Sequence, residues 1–430
     1  MVASWYALLR KRKFLPLFLT QFLGAFNDNA FKLSMLTLIS YYLSATQSQS
    51  ENYQAIAGAL YTLPFFLFSA TAGQLADKYD KAILTRWVKF LEVVLMIIGG
   101  IALYNGSIFL MMFTLTGMGI HSTFFGPIKY AILPDHLPRE QLMPATGLIE
   151  ASTFIAILLG TTLGALMIGD DMSPVIYAIL LTNLVAVFGF VSSLYIPPAL
   201  SSMPLVAVDW RPWRATKNML VEVVGNRAIF PAIFAISWFW LIGAVMLTKL
   251  PDYTHFVLGA DTTVFALFLA LFSIGIALGS LSITYLLKDR ITLRYVPIAM
   301  LFLSFFAVDL YLATPAAEQE RVLLDLSAFL SQLKHWRIMI DFFLFSFCGG
   351  LFVVPLYTYL QVISKEGSRA RTIAANNICN AFAMVVGTLL VMLMLYFNLS
   401  IVLVFLMMAI FNALAAAVLW FLLRVEHRVC

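Results

Sequence analysis

Two oppositely charged residues, Asp28 and Lys32, stand four apart in Phe14–Tyr42, where their surroundings are mostly apolar or small. A charge at bilayer depth costs at least ~2.5 kcal/mol, so such residues face the interior of a helix bundle and mark a substrate or ion path. On a helix, positions i and i+4 share one face, roughly 6 Å apart at Cβ. Gln21 and Gly24 extend that face. Asn376 and Asn380 make a second i, i+4 polar pair, with Asn377 beside them; amides so placed either bond neighbouring helices or line a cavity. Lys89, Glu92, Lys129 and Glu150 are expected toward the cytoplasmic ends of the third to fifth hydrophobic runs, as a gating charge network or as direct substrate contacts. His121 stands alone in mid-run, where a packing role competes with a proton relay. No nucleophile–base pair, metal cluster or phosphate-cradling loop stands out, so neither an enzyme nor a cofactor is expected.

Composition says what must position these residues. Of 430 residues, 62% are hydrophobic and 11% charged, against roughly 25% charged in an average soluble domain. A span needs ~20 mostly apolar residues, and about twelve runs qualify: 14–44, 54–76, 82–104, 107–133, 141–168, 174–196, 227–250, 262–287, 292–313, 338–364, 370–397 and 400–423. Backbone groups in lipid must be hydrogen-bonded within their own segment, so these runs fold as helices. The expected class is an all-α membrane protein of about twelve transmembrane helices, with no room for a soluble catalytic domain.

The net charge of +5 suits a membrane topology and not nucleic acid, because of where it falls. With loops alternating from an inside N-terminus, twenty of the 27 Lys and Arg lie on the cytoplasmic side, among them Arg10 to Lys13, Lys78, Lys81, Arg86, Lys288, Arg290, Arg369, Arg371, Arg424 and Arg428. Three lie outside: Arg321, Lys334 and Arg337. That asymmetry puts both termini in the cytoplasm. Cys348, Cys379 and Cys430 have no metal spacing and say nothing of redox compartment. The first run lacks a small-residue cleavage site and is expected to remain as a helix.

The connection Pro197–Asn226 divides the runs six and six, giving expected domains of residues 1–196 and 227–430 around a cytoplasmic linker, 197–226. Two bundles around a midplane cavity are the layout of many secondary transporters. In the linker, Trp210, Trp213, Met219, Leu220 and Val223 alternate with Arg211, Arg214 and Lys217, as in a helix lying at the inner headgroup surface. Outside, in Thr314–Arg337, Leu323, Leu326, Leu330, Leu333 and Trp336 recur at helical spacing opposite Glu320, Asp325, Gln332 and Lys334, which predicts an interfacial helix or a substrate-gathering surface.

After the second run comes Gly73-Gln-Leu-Ala-Asp77-Lys78-Tyr-Asp80-Lys81. It resembles the loop 2–3 signature of the major facilitator superfamily, with Asp80 where that signature has glycine. The resemblance implies a gate: Gly73 permits close helix approach, and Asp77, flanked by Lys78 and Lys81, faces positive helix N-termini or cations across the bundle interface. Three further stretches are Gln21 to Asn29, Phe124-Phe-Gly-Pro-Ile-Lys129-Tyr130, and Gly147-Leu-Ile-Glu150-Ala-Ser-Thr153 running on to Gly160. With Ser237-Trp-Phe-Trp240, Phe352-Val-Val-Pro355-Leu-Tyr357 and Ile373-Ala-Ala-Asn376-Asn377, they resemble the bacterial lysophospholipid transporter family. The match is to the transporter portion of relatives that fuse this bundle to an acyltransferase and an acyl-carrier-protein synthetase.

The resemblance implies a monomeric transporter in the bacterial inner membrane that moves lysophospholipids, chiefly lysophosphatidylethanolamine, toward the cytoplasmic leaflet. Surrounding membrane lipids and a separate acyltransferase/acyl-ACP synthetase are the expected partners, since the chain ends at Cys430. In that setting the Asp28 carboxylate would take the ammonium and Lys32 the phosphate, with Lys129 and Glu150 on the path. An ion pair that merely neutralises itself is the competing reading of Asp28 and Lys32. Two other functions compete: a proton-coupled exporter of drugs or a siderophore-like metabolite, and a non-transporting scaffold for a lipid-remodelling enzyme. Gly160 and Gly164 make a small-xxx-small pair that lets the fifth helix pack closely.

Overall fold

The computed structural model describes residues 5–168, 175–201, 203, 204, 207–287, 291–314, 323–397 and 399–426. The expectations for Lys288, Arg290, Glu320, Arg321, Arg428 and Cys430, and for the side chain of Arg424, lie outside the described residues. Twelve long helices carry the hydrophobic runs: α1 Leu15–Leu38, α2 Gln47–Lys78, α3 Lys81–Tyr104, α4 Ile108–Ala131, α5 Leu142–Leu166, α6 Val175–Leu194, α7 Phe230–Asp252, α8 Thr262–Leu287, α9 Val296–Ala313, α10 Leu333–Ile363, α11 Arg369–Tyr396 and α12 Ile401–Glu426. Eleven of them are long and apolar enough to cross a membrane. The remaining one, α1, is just as long at 24 residues, but Gln21, Asn27, Asp28, Asn29 and Lys32 interrupt its apolar sequence. At 1.5 Å per residue it still spans ~36 Å, more than a bilayer's hydrocarbon core.

Short polar connections set the helix starts. Thr46, Asp80 and Ser107 accept backbone N–H groups at the starts of α2, α3 and α4, from Gln49 at 3.2 Å, Ala82 at 2.7 Å and Leu110 at 3.5 Å. Asp80 therefore has a helix-capping job where the superfamily signature has glycine. Helix directions alternate, which gathers Lys78, Lys81, Arg139, Arg369 and Arg371 at one end of the bundle together with the start of α1. We call this the basic end.

The two halves repeat one packing scheme. In the first, α1 packs on α5 and α6, α2 on α4, and α3 on α4 and α6. In the second, α7 packs on α11 and α12, α8 on α10, and α9 on α10 and α12, each pair displaced by six helices. The halves meet through α2 with α11 and α5 with α8, supported by α4 with α11 and α5 with α10. These are two six-helix bundles. Within the first, α1 and α5 approach closely: a Cβ on Gly160 would overlap the Phe26 carbonyl and stand 3.2 Å from the Ala30 amide nitrogen. Only glycine fits there.

Two surface segments differ from their sequence reading. The linker holds a helix, Pro212–Gly225, but its apolar residues divide. Ala215, Met219 and Val223, four residues apart, bury against the bundle, whereas Trp210 and Trp213 are 70% and 72% exposed. Trp213 is two residues from Ala215, ~200° round the helix, and so cannot share its stripe. Among the described residues of Thr314–Arg337, the stripe does not lie on one amphipathic helix. The helix Leu326–Ser331 stops at Gln332, in extended conformation, and Leu333 and Trp336 already belong to α10. Asp325 caps the short helix through the Ala328 N–H at 2.7 Å, and Phe329, outside the expected stripe, is its buried residue.

Candidate functional site

Sequence-singled polar residues fall into three clusters within the bundle and one latch at the basic end. The first cluster surrounds Asp28. Its Oδ2 accepts the Ser122 hydroxyl of α4 at 2.5 Å and the Tyr61 hydroxyl of α2 at 3.3 Å. Lys32 does not pair with it: no carboxylate lies within 4.0 Å of Lys32 among the described residues, and its ammonium lies 5.7 Å from the Tyr61 ring centroid. Asp28 and Lys32 are both half-buried, not sealed in packing. The self-neutralising ion pair is therefore not the arrangement adopted. The two charges stand one helical turn apart, each steered by Tyr61.

The second cluster is deeper than its residues were expected to be. Lys89 and Glu92 lie ~12 and ~17 Å along α3 from its start, not at its end, and both are fully enclosed (0% and 1% exposed). Lys89 Nζ meets Glu92 Oε2 at 2.6 Å, the other Glu92 oxygen accepts the Asn27 amide at 2.9 Å, and His121 Nε2 lies 3.2 Å from Oε2. His121 is thus no lone histidine. These contacts tie α3 to α1 and α4 within one half, and none crosses to the other half.

The third cluster joins Glu150 to the second half of the chain. Glu150 of α5 accepts a short hydrogen bond from the Tyr130 hydroxyl of α4. The Tyr130 ring stacks on Tyr357 of α10 at 4.5 Å with 9° between planes. The Tyr357 hydroxyl accepts from Trp240 Nε1 of α7 at 2.9 Å and from Asn380 Nδ2 of α11 at 3.4 Å, and Asn380 Oδ1 accepts from Ser237 at 2.9 Å. Asn380 therefore bonds neighbouring helices, and Asn376 is fully buried one turn away. Half-buried Lys129 lies over the Tyr130 ring at 4.7 Å. Gln21 connects α1 to α5 by donating to Ser152 and accepting from Thr153 at 3.1 Å.

At the basic end, Asp77 Oδ1 accepts the Ala370 N–H at 3.0 Å, while Oδ2 accepts the Arg371 N–H at 3.3 Å and its Nε–H at 3.1 Å. Ala370 and Arg371 open α11, so the carboxylate sits on a helix N-terminus and a guanidinium at once. A Cβ on Gly73 would lie 2.8 Å from Ala374 Cβ and 2.9 Å from Arg371 Cα, so α2 and α11 touch there through glycine. A second bridge runs from Lys81 to Asp135 at 2.9 Å and on to Arg369 at 3.1 Å. Gln361 of α10 donates to Thr146 of α5 at 3.0 Å. Lys78 takes no part in these bridges and lies 5.7 Å from the Tyr79 ring centroid.

Sequence reasoning gave no role to Tyr61, Ser122, Tyr130 or Tyr357. Tyr130 and Tyr357 lay inside stretches already singled out and were within reach of it. Nothing local marks Tyr61 or Ser122.

A family model described as Major Facilitator Superfamily matches residues 17–331. The chain belongs to the major facilitator superfamily. It is a multi-pass membrane transporter, similar to curated transporters. It is 26% identical to the lysophospholipid transporter LplT of Serratia proteamaculans over 381 residues, 87% of each chain. To LplT of Escherichia fergusonii it is 27% identical over 372 residues, 85% of this chain and 84% of the relative. To LplT of Citrobacter koseri it is 26% identical over 408 residues, 93% of each. Superfamily structures superimpose along nearly all of it: human organic anion transporter MFSD10 at TM-score 0.73 and 14% identity, covering 96% of this chain and 99% of that one. FucP in its outward conformation gives 0.71 and 12%, with coverage of 96% and 99%.

Proposed function

We propose that this transporter flips single-chain phospholipids, lysophosphatidylethanolamine in particular, across the bacterial inner membrane toward the cytoplasmic leaflet. The observation that carries the reading is the extent of its likeness to proteins named lysophospholipid transporter, at least 85% of the chain in each relative described above. The chemistry of α1 agrees with it. A lysophosphatidylethanolamine headgroup carries an ammonium and a phosphate close together. Asp28, with one carboxylate oxygen lacking a protein hydrogen-bond partner among the described residues, receives the first. Lys32, one turn away and unpaired with a carboxylate, receives the second as a point charge. Lys129 and Glu150 continue the path toward the basic end, which in this reading faces the cytoplasm with both termini.

Residues 1–196 and 227–430 rock against each other as units, joined by the 197–226 linker. For the site to open at the basic end, the Asp77–Arg371 and Asp135–Arg369 contacts must break and the Tyr130–Tyr357 stack must part. A separate acyltransferase/acyl-ACP synthetase then consumes the delivered lipid.

The test is uptake of labelled lysophosphatidylethanolamine by spheroplasts lacking their own lysolipid transporter. Uptake that depends on this protein and falls at least tenfold in Asp28→Asn supports the reading. Unchanged uptake in Asp28→Asn removes the headgroup role of Asp28, and no uptake by folded, inserted protein removes the substrate.

A further inference from the structure

At the basic end several cations have fixed partners: Lys81 and Arg369 hold Asp135, Arg371 holds Asp77, and Arg10 lies over the Tyr6 ring at 4.4 Å. Lys11, Arg12 and Lys13 are different. They follow one another in the turn before α1 and, with His136 and Gln141, line a cavity of about 380 Å³. None of the three cations meets a carboxylate within 4.0 Å among the described residues. Lys11 donates to the Gln141 amide oxygen at 2.7 Å. Of the acids beside the cavity in sequence, Asp135 is taken by Lys81 and Arg369, and Glu140 is exposed and outside any ion pair. The concave surface is therefore net positive. Membrane topology accounts for basic residues in this turn, but not for a buried histidine among them.

His136 supplies the second half of the site. It is 7% exposed, and Lys13 is near enough to act on it electrostatically. Burial keeps its ring neutral at pH 7. Nε2 lies 3.3 Å from the Pro198 carbonyl, which can only accept, so Nε2 carries the hydrogen. Nδ1 is then a lone-pair acceptor, buried and without a protein hydrogen-bond partner among the described residues. A ligand that meets all these groups brings a negative charge for the cations and a hydroxyl for the imidazole. We propose that the cavity binds the headgroup of an anionic, hydroxyl-bearing phospholipid of the phosphatidylglycerol class. Its phosphodiester sits on Lys11, Arg12 and Lys13, and its glycerol hydroxyl donates to His136 Nδ1. Position favours a membrane lipid over a soluble phosphodiester. The first hydrophobic helix follows at once, and Trp5 and Tyr6, on the short helix Trp5–Leu9 just before the turn, are 40% and 53% exposed. Exposed aromatic rings at a helix entry belong to the headgroup level. Asp28 lies ~20 Å further along α1. This lipid is thus held apart from the transported one, and its site does not depend on the lysolipid reading.

The experiment measures lipid affinity by native mass spectrometry of the full-length protein in detergent. The probes are phosphatidylglycerol, zwitterionic phosphatidylethanolamine, and phosphatidylmethanol, an anionic phosphodiester without the hydroxyl. Wild-type protein is expected to bind phosphatidylglycerol at least about fivefold more tightly than either of the others. Arg12→Gln and Lys13→Gln should each weaken that binding about fivefold. His136→Phe should abolish the preference for phosphatidylglycerol over phosphatidylmethanol while phosphatidylmethanol still binds. Soluble glycerophosphoglycerol, the same headgroup without acyl chains, should bind at least about tenfold more weakly than the lipid; equal affinity overturns a lipid as the source of the phosphodiester. Equal affinity for phosphatidylglycerol and phosphatidylethanolamine, or phosphatidylglycerol binding unchanged in both Arg12→Gln and Lys13→Gln, is the behaviour of unspecific boundary lipid and overturns the site. Equal affinity of wild-type protein for phosphatidylglycerol and phosphatidylmethanol overturns the hydroxyl contact to His136. If His136→Phe does not fold, the comparison of the three lipids on wild-type protein decides that contact alone.

Discussion

Asp77 and Arg371 are joined twice over across the bundle interface, through the Arg371 N–H and guanidinium, and the Ala370 N–H at the start of α11 adds a third hydrogen bond to the same carboxylate, which is buried to 0% exposure. In the proposed transport cycle this latch holds the basic end closed. Hydrogen bonds to a charged group are worth about 1.5–3 kcal/mol, and such a sum is enough to set a conformational equilibrium. Replacing Asp77 by Asn keeps the shape and removes the charge. We expect Asp77→Asn to open the basic end at least tenfold more often, read as faster labelling of a cysteine placed at Thr146 in a chain otherwise free of cysteine. Transport should fall, because one of the two alternating states is then overpopulated. Equal labelling rates would mean that Gly73 and the Asp135 bridge close the end without Asp77.

The α1–α5 contact is a matter of space. A side chain at Gly160 meets the backbone of α1 at Phe26 and Ala30, which cannot yield as a flexible side chain can. Gly160→Leu is expected to cost several kcal/mol, in the upper range of overpacking penalties. It also displaces Asp28, two residues from each of those contacts. The measurement is the yield of monodisperse protein in detergent together with its unfolding temperature. A wild-type value would show that α1 sits elsewhere.

Tyr357 serves both the stack and the hydrogen bonds. Tyr357→Phe keeps the ring on Tyr130 but leaves the Trp240 and Asn380 donors without their acceptor. Each orphaned buried donor costs about 1–3 kcal/mol. We expect a drop in unfolding temperature of several degrees, while Tyr357→Ala, which also removes the stack, loses more.

His136, in the connection between α4 and α5, is outside the spans. Burial holds its imidazole below the usual histidine range, and its Nε2 lies 3.3 Å from the Pro198 carbonyl. Because the folded chain binds this proton less readily than the unfolded one, the unfolded state gains protons first as pH falls. The stabilisation is therefore complete above about pH 6.5 and is lost below it. Unfolding temperature should decline from pH 7 to pH 5, and His136→Gln should flatten part of that decline. An identical slope in both proteins would exclude His136 as a contributor.

Much of this architecture is written along the chain. Twelve apolar runs of bilayer length can only be helices in lipid, since each must satisfy its own backbone, and their alternation with basic loops orders them. The contact of Asp77 and Gly73 with the start of α11 was legible too, because the loop after the second run pairs a glycine for close approach with an acid that suits a helix N-terminus. Local spacing misled where the outcome depended on distant packing. Leu333 and Trp336 fit a surface stripe by periodicity, yet they open α10 because Gln332 breaks the chain. Trp210 and Trp213 matched an apolar face that the bundle instead reserves for Ala215, Met219 and Val223.

What the sequence determined by itself was the class of molecule, the helix inventory and the charged residues that a membrane would not tolerate without purpose. What only the tertiary structure decided was whom those residues meet. Asp28 and Lys32 are neighbours on one helix, and spacing alone pairs them; but the hydroxyl of residue 122 takes the Asp28 carboxylate and the ring of residue 61 lies beside Lys32. Lys89, Glu92 and His121 become one group because α1, α3 and α4 are pressed together by the packing of the whole half. Hydrogen bonds and charges act over a few ångströms, and which atoms come within that range is fixed by helix packing between segments far apart in the chain.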